Sequence, residues 1–188
     1  MNQLTSIAWN DSTELRSFLA RFSYMFPLAG GERSRAYIFF RGWMTTFVNL
    51  CEQIDAILAN DKRNFGWHRI REKFGAPSLI YEVRGRARHV IHAHRPTEVR
   101  RIDCAPRDSF EPTAVAIQEA VLTAEVLLRE TCIVCAAPSM ITNAGGFWAS
   151  LCAEHGADDF LNGGTGECGS LWRAAVLREE SESHVPER

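Results

Sequence analysis

Cys132-Ile133-Val134-Cys135 and Cys152-Ala153-Glu154-His155 are two short ligand pairs separated by the 16 residues of segment 136–151. Two thiolates with two residues between them can turn back on one tetrahedral ion. A Cys and a His three apart on a helical turn face the same way and complete the four. This is zinc spacing, and the expected ligands are Cys132, Cys135, Cys152 and His155, with Cys168 the alternative to His155. With every position filled by protein, no place remains for an activated water, so the expected Zn2+ is structural.

The spacer reads as a hairpin. Met140, Ile141 and Thr142 lead into the turn composition Asn143-Ala144-Gly145-Gly146, and Phe147 to Leu151 lead out of it. Glu154, Ala157, Asp158, Asp159, Phe160 and Leu161 then suit a short helix that stops before Gly163-Gly164. Knuckle, hairpin and ligand-bearing helix in that order make a treble-clef arrangement. A redox Cys-x-x-Cys would leave the second pair unexplained, and no strand-then-helix thioredoxin pattern surrounds it. Plain core thiols are the other reading, since Cys is among the most buried residue types.

Upstream, Leu15, Phe18, Leu19, Phe22 and Phe26 recur at helical steps until Pro27, which predicts a helix over 12–26. A loop over 28–34 follows. The strongest helical period runs over 42–60, where Trp43, Met44, Phe47, Val48, Cys51, Ile54, Ile57 and Leu58 make one apolar stripe. Alternation over 67–74, a turn at Gly75-Ala76-Pro77-Ser78 and the run Leu79 to Val83 predict a two-stranded hairpin, with a further strand over 87–93. Segment 94–111 is loop-like in composition, and Pro112 suits the first turn of a helix reaching Arg129. Gly163 to Gly169 lacks the Lys-Ser/Thr of a phosphate-cradling loop and reads as a linker. Ser170 caps an expected helix over 171–179, and 180–188 is a charged tail. The expected fold is α+β: helices packed on a small antiparallel hairpin or sheet over 1–130, a zinc module over 131–162, and a linker with a short helix over 163–188.

The 188 residues are 46% hydrophobic and 23% charged, the composition of globular chains. Residues 1–10 lack a basic start followed by an apolar run, and no stretch reaches the ~18 apolar residues of a membrane span. A soluble, cytoplasmic protein with no membrane partner is expected, with Cys51, Cys104 and Cys168 as free thiols. Residues 1–108 carry 17 basic and 11 acidic side chains, whereas 109–188 carry 4 and 12, so the chain is electrically bipolar. Arg84, Arg86, Arg88, Arg95, Arg100 and Arg101 fall within 18 residues, with His89, His92 and His94 among them. On an extended strand Arg84, Arg86 and Arg88 would share one face, a guanidinium row suited to phosphates or an acidic protein surface, and removable without unfolding. The competing reading is a solvated hairpin face. His92 and His94 have no carboxylate at a defined spacing to complete a metal site. A nuclease built on the zinc hairpin would need a general-base His and further ligands that Asn143 alone does not supply.

Three blocks together carry a resemblance. Gly42-Trp43 opens the long helix through Leu50-Cys51 and Ile54; Arg71-Glu72-Lys73-Phe74-Gly75 is followed by Tyr81; Thr131-Cys132 to Cys135 and Leu151-Cys152 to His155 form the third. The chain resembles an uncharacterised family of small bacteriophage and prophage proteins that place these blocks in this order. It departs from the pattern where Ala136 stands after the second Cys in place of the usual Gly, and where segment 84–108 looks inserted. The resemblance implies a phage or prophage origin and a zinc module, and no reaction. The function expected is a non-enzymatic binding protein that docks on a host or phage protein complex, in the manner of an inhibitor of host defence (anti-CRISPR-like). The alternative is a DNA- or RNA-binding accessory or regulatory protein using the 84–101 segment; a metal-dependent nuclease ranks last.

Overall fold

The computed structural model describes residues 13–27, 36–83, 86–95, 98–104, 111–144, 147–156 and 175–178. Among them the fold is mixed α+β. The long apolar stripe forms helix α2 (Met44–Leu58), which buries Phe47, Leu50, Cys51, Ile54 and Leu58, steps of three and four residues that keep one face inward. A 3-10 turn, Arg41–Trp43, leads into it, and Ala59, with φ of 48°, ends it. Helix α1 (Thr13–Arg21) and the 3-10 turn Ser23–Met25 occupy the expected first helical segment. Phe18 meets Phe22, Phe26, Phe39 and Phe47 at ring separations of 5.4 to 6.0 Å, mostly edge to face, the arrangement that ring quadrupoles favour.

The main sheet has five strands. β2 (Phe65–Lys73) and β3 (Ala76–Val83) form the expected hairpin, though its turn is the tighter Phe74-Gly75, with Lys73 paired to Ala76 and both turn residues at positive φ. β1 (Ala36–Phe39), a strand the sequence reading did not anticipate, pairs parallel with β2 through α2 as the crossover. β4 (Arg86–Ala87) is a two-residue edge on β3. β9 (Ala175–Arg178) pairs antiparallel with β1, so the order is β4-β3-β2-β1-β9. The helix expected over 171–179 is thus corrected to strand at its described residues: pairing along the open edge of β1 overrides the helical preference of Ala-Val-Leu-Arg.

Two hairpins stand beside this sheet. β5 (His89–Arg95) pairs with β6 (Glu98–Cys104) through seven residue pairs. The predicted third strand is therefore divided between β4 and β5, and the loop expected from residue 94 onward contains a strand; Pro96 and the charged residues concealed the alternation. β7 (Met140–Ala144) and β8 (Phe147–Leu151) are the expected hairpin between the ligand pairs. Helix α3 (Pro112–Arg129), with Pro112 in its first turn, buries Ile117, Val121, Ala124, Glu125 and Leu128 against α2 and β3, and delivers the chain to Cys132. No helix among the described residues is long and apolar enough to cross a membrane. The linker over 163–169 and the tail over 180–188 lie outside the described residues.

Candidate metal centre

The knuckle begins where α3 ends. Cys132 N–H donates to the Ala137 carbonyl at 2.8 Å, and Ala136 N–H to the Cys132 carbonyl at 3.1 Å, so segment 132–137 folds back on itself. Ala136 sits at φ of 67°, the left-handed conformation in which a side chain is strained. Ile133 N–H donates to the Ser150 carbonyl at 3.1 Å, joining the knuckle to β8. Cys152 follows β8 directly, and the 3-10 turn Ala153–His155, with His155 N–H on the Cys152 carbonyl at 3.1 Å, swings the imidazole back over it.

These turns bring Cys132, Cys135, Cys152 and His155 together, all four donor atoms lying within 4.8 Å of one another. Cys135 Sγ is 3.6 Å from Cys152 Sγ, and His155 Nδ1 is 3.2 Å from Cys152 Sγ and 3.8 Å from Cys132 Sγ. A tetrahedral zinc with Zn–S of about 2.3 Å and Zn–N of about 2.0 Å requires edges of about 3.8 Å between sulfurs and about 3.5 Å from sulfur to nitrogen. The donor set suits such an ion, and these three edges lie within about 0.3 Å of the required values. Cys132 and Cys152 are buried, His155 half-buried, and Cys135 exposed, which leaves one side of the group facing solvent.

The protein prepares two of the thiols for ionisation. Burial opposes the Cys132 thiolate, but the backbone N–H groups of Cys135, Cys152 and Val134 more than offset it and pull the thiol below its ordinary value. At Cys152 burial is likewise outweighed, here by the hydrogen bond from His155 and by the backbone N–H groups of His155 and Glu154. Desolvation and the two neighbouring sulfurs push the Cys135 thiol up to about 11. Three sulfurs this close cannot all carry charge unaided, and a soft divalent cation removes the conflict. Cys168 and the helix expected over 157–161 lie outside the described residues.

Support for the cluster comes from the two distant blocks noted in the sequence. Gly42 N–H donates to the Ile133 carbonyl at 3.0 Å, and the Trp43 indole N–H donates to the Thr131 carbonyl at 3.1 Å. A Cβ on Gly42 would lie 2.0 Å from the Cys132 carbonyl oxygen, so only glycine lets the start of α2 meet the knuckle. The β2–β3 turn does the same for the hairpin. A Cβ on Gly75 would lie 2.5 Å from Ile141 Cγ2, and the Ser150 hydroxyl lies 3.0 Å from the Gly75 carbonyl oxygen and 2.8 Å from that of Arg129. The knuckle and hairpin are keyed into the main core, which includes Cys132, Ile133, Ala149, Leu151 and Cys152. Gly42, Gly75 and Ser150 were not read as site residues; the glycine before a Trp at a helix start was the available signal.

The basic segment is arranged differently from the expected row. Arg88 is withdrawn from the surface: its side chain is fully buried and paired with Glu125 of α3. The reading of Arg88 as a removable surface contact is therefore corrected, because the chain between β4 and β5 turns its guanidinium into the core. Arg84 lies outside the described residues, and Arg86 lies in β4. Arg95, Arg100 and Arg101 lie in the β5–β6 hairpin, opposite Glu98, Ala93 and His92 in its register. Compared with known proteins, the chain matches no protein-family model, no curated protein and no solved structure.

Proposed function

We propose that the chain is a non-enzymatic, zinc-stabilised binding protein of the phage type its motifs resemble, acting in the host cytoplasm by docking on a host or phage macromolecular complex. One observation carries this reading: four Cys and His donor atoms lie within 4.8 Å of one another, and their frame is locked to the core through Gly42, Trp43 and Gly75. An ion so enclosed has no coordination position left for substrate or water, and serves shape. Knuckle, hairpin and ligand-bearing turn, in that order, support a treble-clef reading, with Zn2+ as the structural ion. A rigid unit of this kind presents the surfaces around it in fixed relation, which is what occupation of a host defence complex demands.

The experiment is elemental analysis of freshly purified full-length protein, followed by recovery of a tagged copy from the host with and without nuclease treatment. The expected result is one zinc per chain and a macromolecular partner recovered in fixed proportion, lost when Cys132→Ser releases the ion. Metal-free protein of unchanged fold, or recovery of the chain alone, overturns the proposal.

A further inference from the structure

The register of β2 against β3 slips by one residue between Trp67 and Arg69. A bulge of this kind exchanges the residues that face the core. Before it Phe65 and Trp67 are buried; after it Ile70 is buried, and Arg69, Arg71 and Lys73 fall on the opposite face, each half-buried. Without the slip, Trp67 and these cations would share a face. Residues two apart on a strand are about 6.8 Å apart, so three cations stand in an evenly spaced row. Their strand is the middle one of the five, held on both sides by β1 and β3.

Among the described residues, the side chains of Arg69, Arg71 and Lys73 form no ion pair. Arg71 Nε is buried without a hydrogen-bond partner, and so is the hydroxyl of Ser78, the residue directly opposite on β3 and itself 0% exposed. Buried polar groups in folded proteins nearly always have partners, so these two orphans mark this point of the row as short of acceptors. Desolvation and the neighbouring Arg69 act against the Arg71 charge and outweigh the Glu72 carboxylate, which favours it. At the turn end, Lys73 Nζ lies 5.4 Å from the Phe74 ring centroid, so an aromatic surface continues the row. At the other end His68 Nε2 binds the Glu82 carboxylate at 2.5 Å.

We propose that the face of β2 that carries Arg69, Arg71 and Lys73, with Phe74 at its end, is a binding surface for the phosphate backbone of a single-stranded nucleic acid. The even repeat along the strand suits a polymer of regularly spaced phosphates better than the irregular carboxylates of an acidic protein. Guanidinium groups take phosphate oxygens two at a time, and a terminal aromatic gives an unpaired base something to stack on. The proposal goes beyond the zinc-stabilised role and does not rest on it, since β2 and β3 carry none of the four donors.

The test is fluorescence anisotropy of labelled oligothymidylate and oligouridylate with full-length, metal-loaded protein at about 50 and 200 mM salt. Three phosphate contacts on a single strand give a log–log salt slope of about −2, or roughly twentyfold weaker binding across that range. Replacing all three cations by Gln is expected to remove that dependence with metal content unchanged. Lys73→Gln alone, next to the turn, should reduce the slope by about 0.7. Absence of salt-dependent binding by the wild-type chain, equal binding by both variants, or binding of polyglutamate with none of either oligonucleotide overturns the proposal.

Discussion

The Arg88 guanidinium and the Glu125 carboxylate form a two-pronged pair closed to solvent, Nη2 to Oε2 at 2.9 Å and Nη1 to Oε1 at 3.2 Å, with side chains 0% and 3% exposed. The same groups also serve β3. Arg88 Nη1 donates to the Leu79 carbonyl at 3.0 Å, and Leu79 N–H donates to Glu125 Oε1 at 3.2 Å. Next along, Arg88 N–H donates to the Tyr81 carbonyl at 2.8 Å, just where two-residue β4 gives out. Two side chains thus complete the ladder that a longer edge strand would have made, and the open edge of β3 is closed to pairing with other chains.

Removing one partner leaves a buried charge unopposed. Arg88→Ala or Glu125→Ala is expected to destabilise by about 3–5 kcal/mol, read from urea unfolding followed by circular dichroism. The double change Arg88→Met with Glu125→Leu separates the two roles. For many buried pairs an apolar substitute is neutral, but here the Leu79 N–H and carbonyl would lose their partners, so a cost of about 2 kcal/mol or more should remain. A neutral double variant would show that the pair does not act as a surrogate strand.

Much of this was legible where period and spacing speak. The stripes of α2 and α3, the β2–β3 and β7–β8 hairpins and the four clustered donors all follow from local pattern. Arg88 did not, because an Arg within an Arg-rich run carries no mark of its depth; the clue lay 37 residues away. Glu125 sits among Val121, Ala124 and Leu128 on the buried stripe of α3, and a carboxylate there requires a cation. β1 and β9 are four residues each and take their form from one another. The bulge at Trp67 is equally silent in sequence, yet it decides which face of β2 carries the cations.

Cys132→Ser and Cys152→Ser each remove a donor that is both buried and acid-shifted. Each variant should lose the ion and several kcal/mol of stability, because in small zinc modules on the order of 10 kcal/mol of metal binding is folding energy. Elemental analysis and thermal unfolding with and without chelator measure both. Because Cys135 is exposed, a chelator is expected to reach the ion in the folded protein. Stability indifferent to chelation would show that the four side chains cluster without a structural ion.

Gly42→Ala should be as damaging as the loss of a ligand. Its Cβ would press on the Cys132 carbonyl oxygen, and also lie 2.8 Å from Ala136 N, both backbone atoms that cannot rotate aside. Separating the start of α2 from the knuckle is expected to cost about 3 kcal/mol or more and to weaken metal retention in competition with a chromophoric chelator. Unchanged retention would mean that the knuckle holds its shape without α2.

Ala136→Gly should act in the opposite direction. The residue is exposed, so its methyl group contributes little burial, while its φ of 67° costs about 1–2 kcal/mol for any residue with a Cβ. Part of that gain is returned through the freer unfolded chain, leaving a net stabilisation of about 0.5–1 kcal/mol. A rise in the melting temperature of the zinc-loaded protein checks it. No change would mean that the knuckle tolerates Ala without strain.

The Asp55 carboxylate ties the turn after α1 to the C-terminal end of α2, accepting hydrogen bonds from Lys62 Nζ and the Tyr24 hydroxyl, each at 2.7 Å. The bond from Lys62, then that from Tyr24, hold its pKa below the ordinary 3.8. The unfolded chain therefore takes up this proton at a higher pH than the folded one. The stabilisation is fully present above the unfolded value, and is lost as pH falls through the lower folded value. Tyr24 has the opposite sign: burial, with Asp55 beside it, raises its pKa above 10.0, so its contribution is present below the unfolded value and disappears as pH rises through the folded one. Acid would also release a metal held by the Cys/His cluster, so wild-type stability alone would confuse two processes. The informative quantity is the difference in urea stability between wild type and Asp55→Asn across pH, in which metal loss common to both cancels. That difference should be level from about pH 5 to 9 and shrink below about pH 4; a difference that persists undiminished at acid pH would mean that the carboxylate charge contributes nothing to the tie.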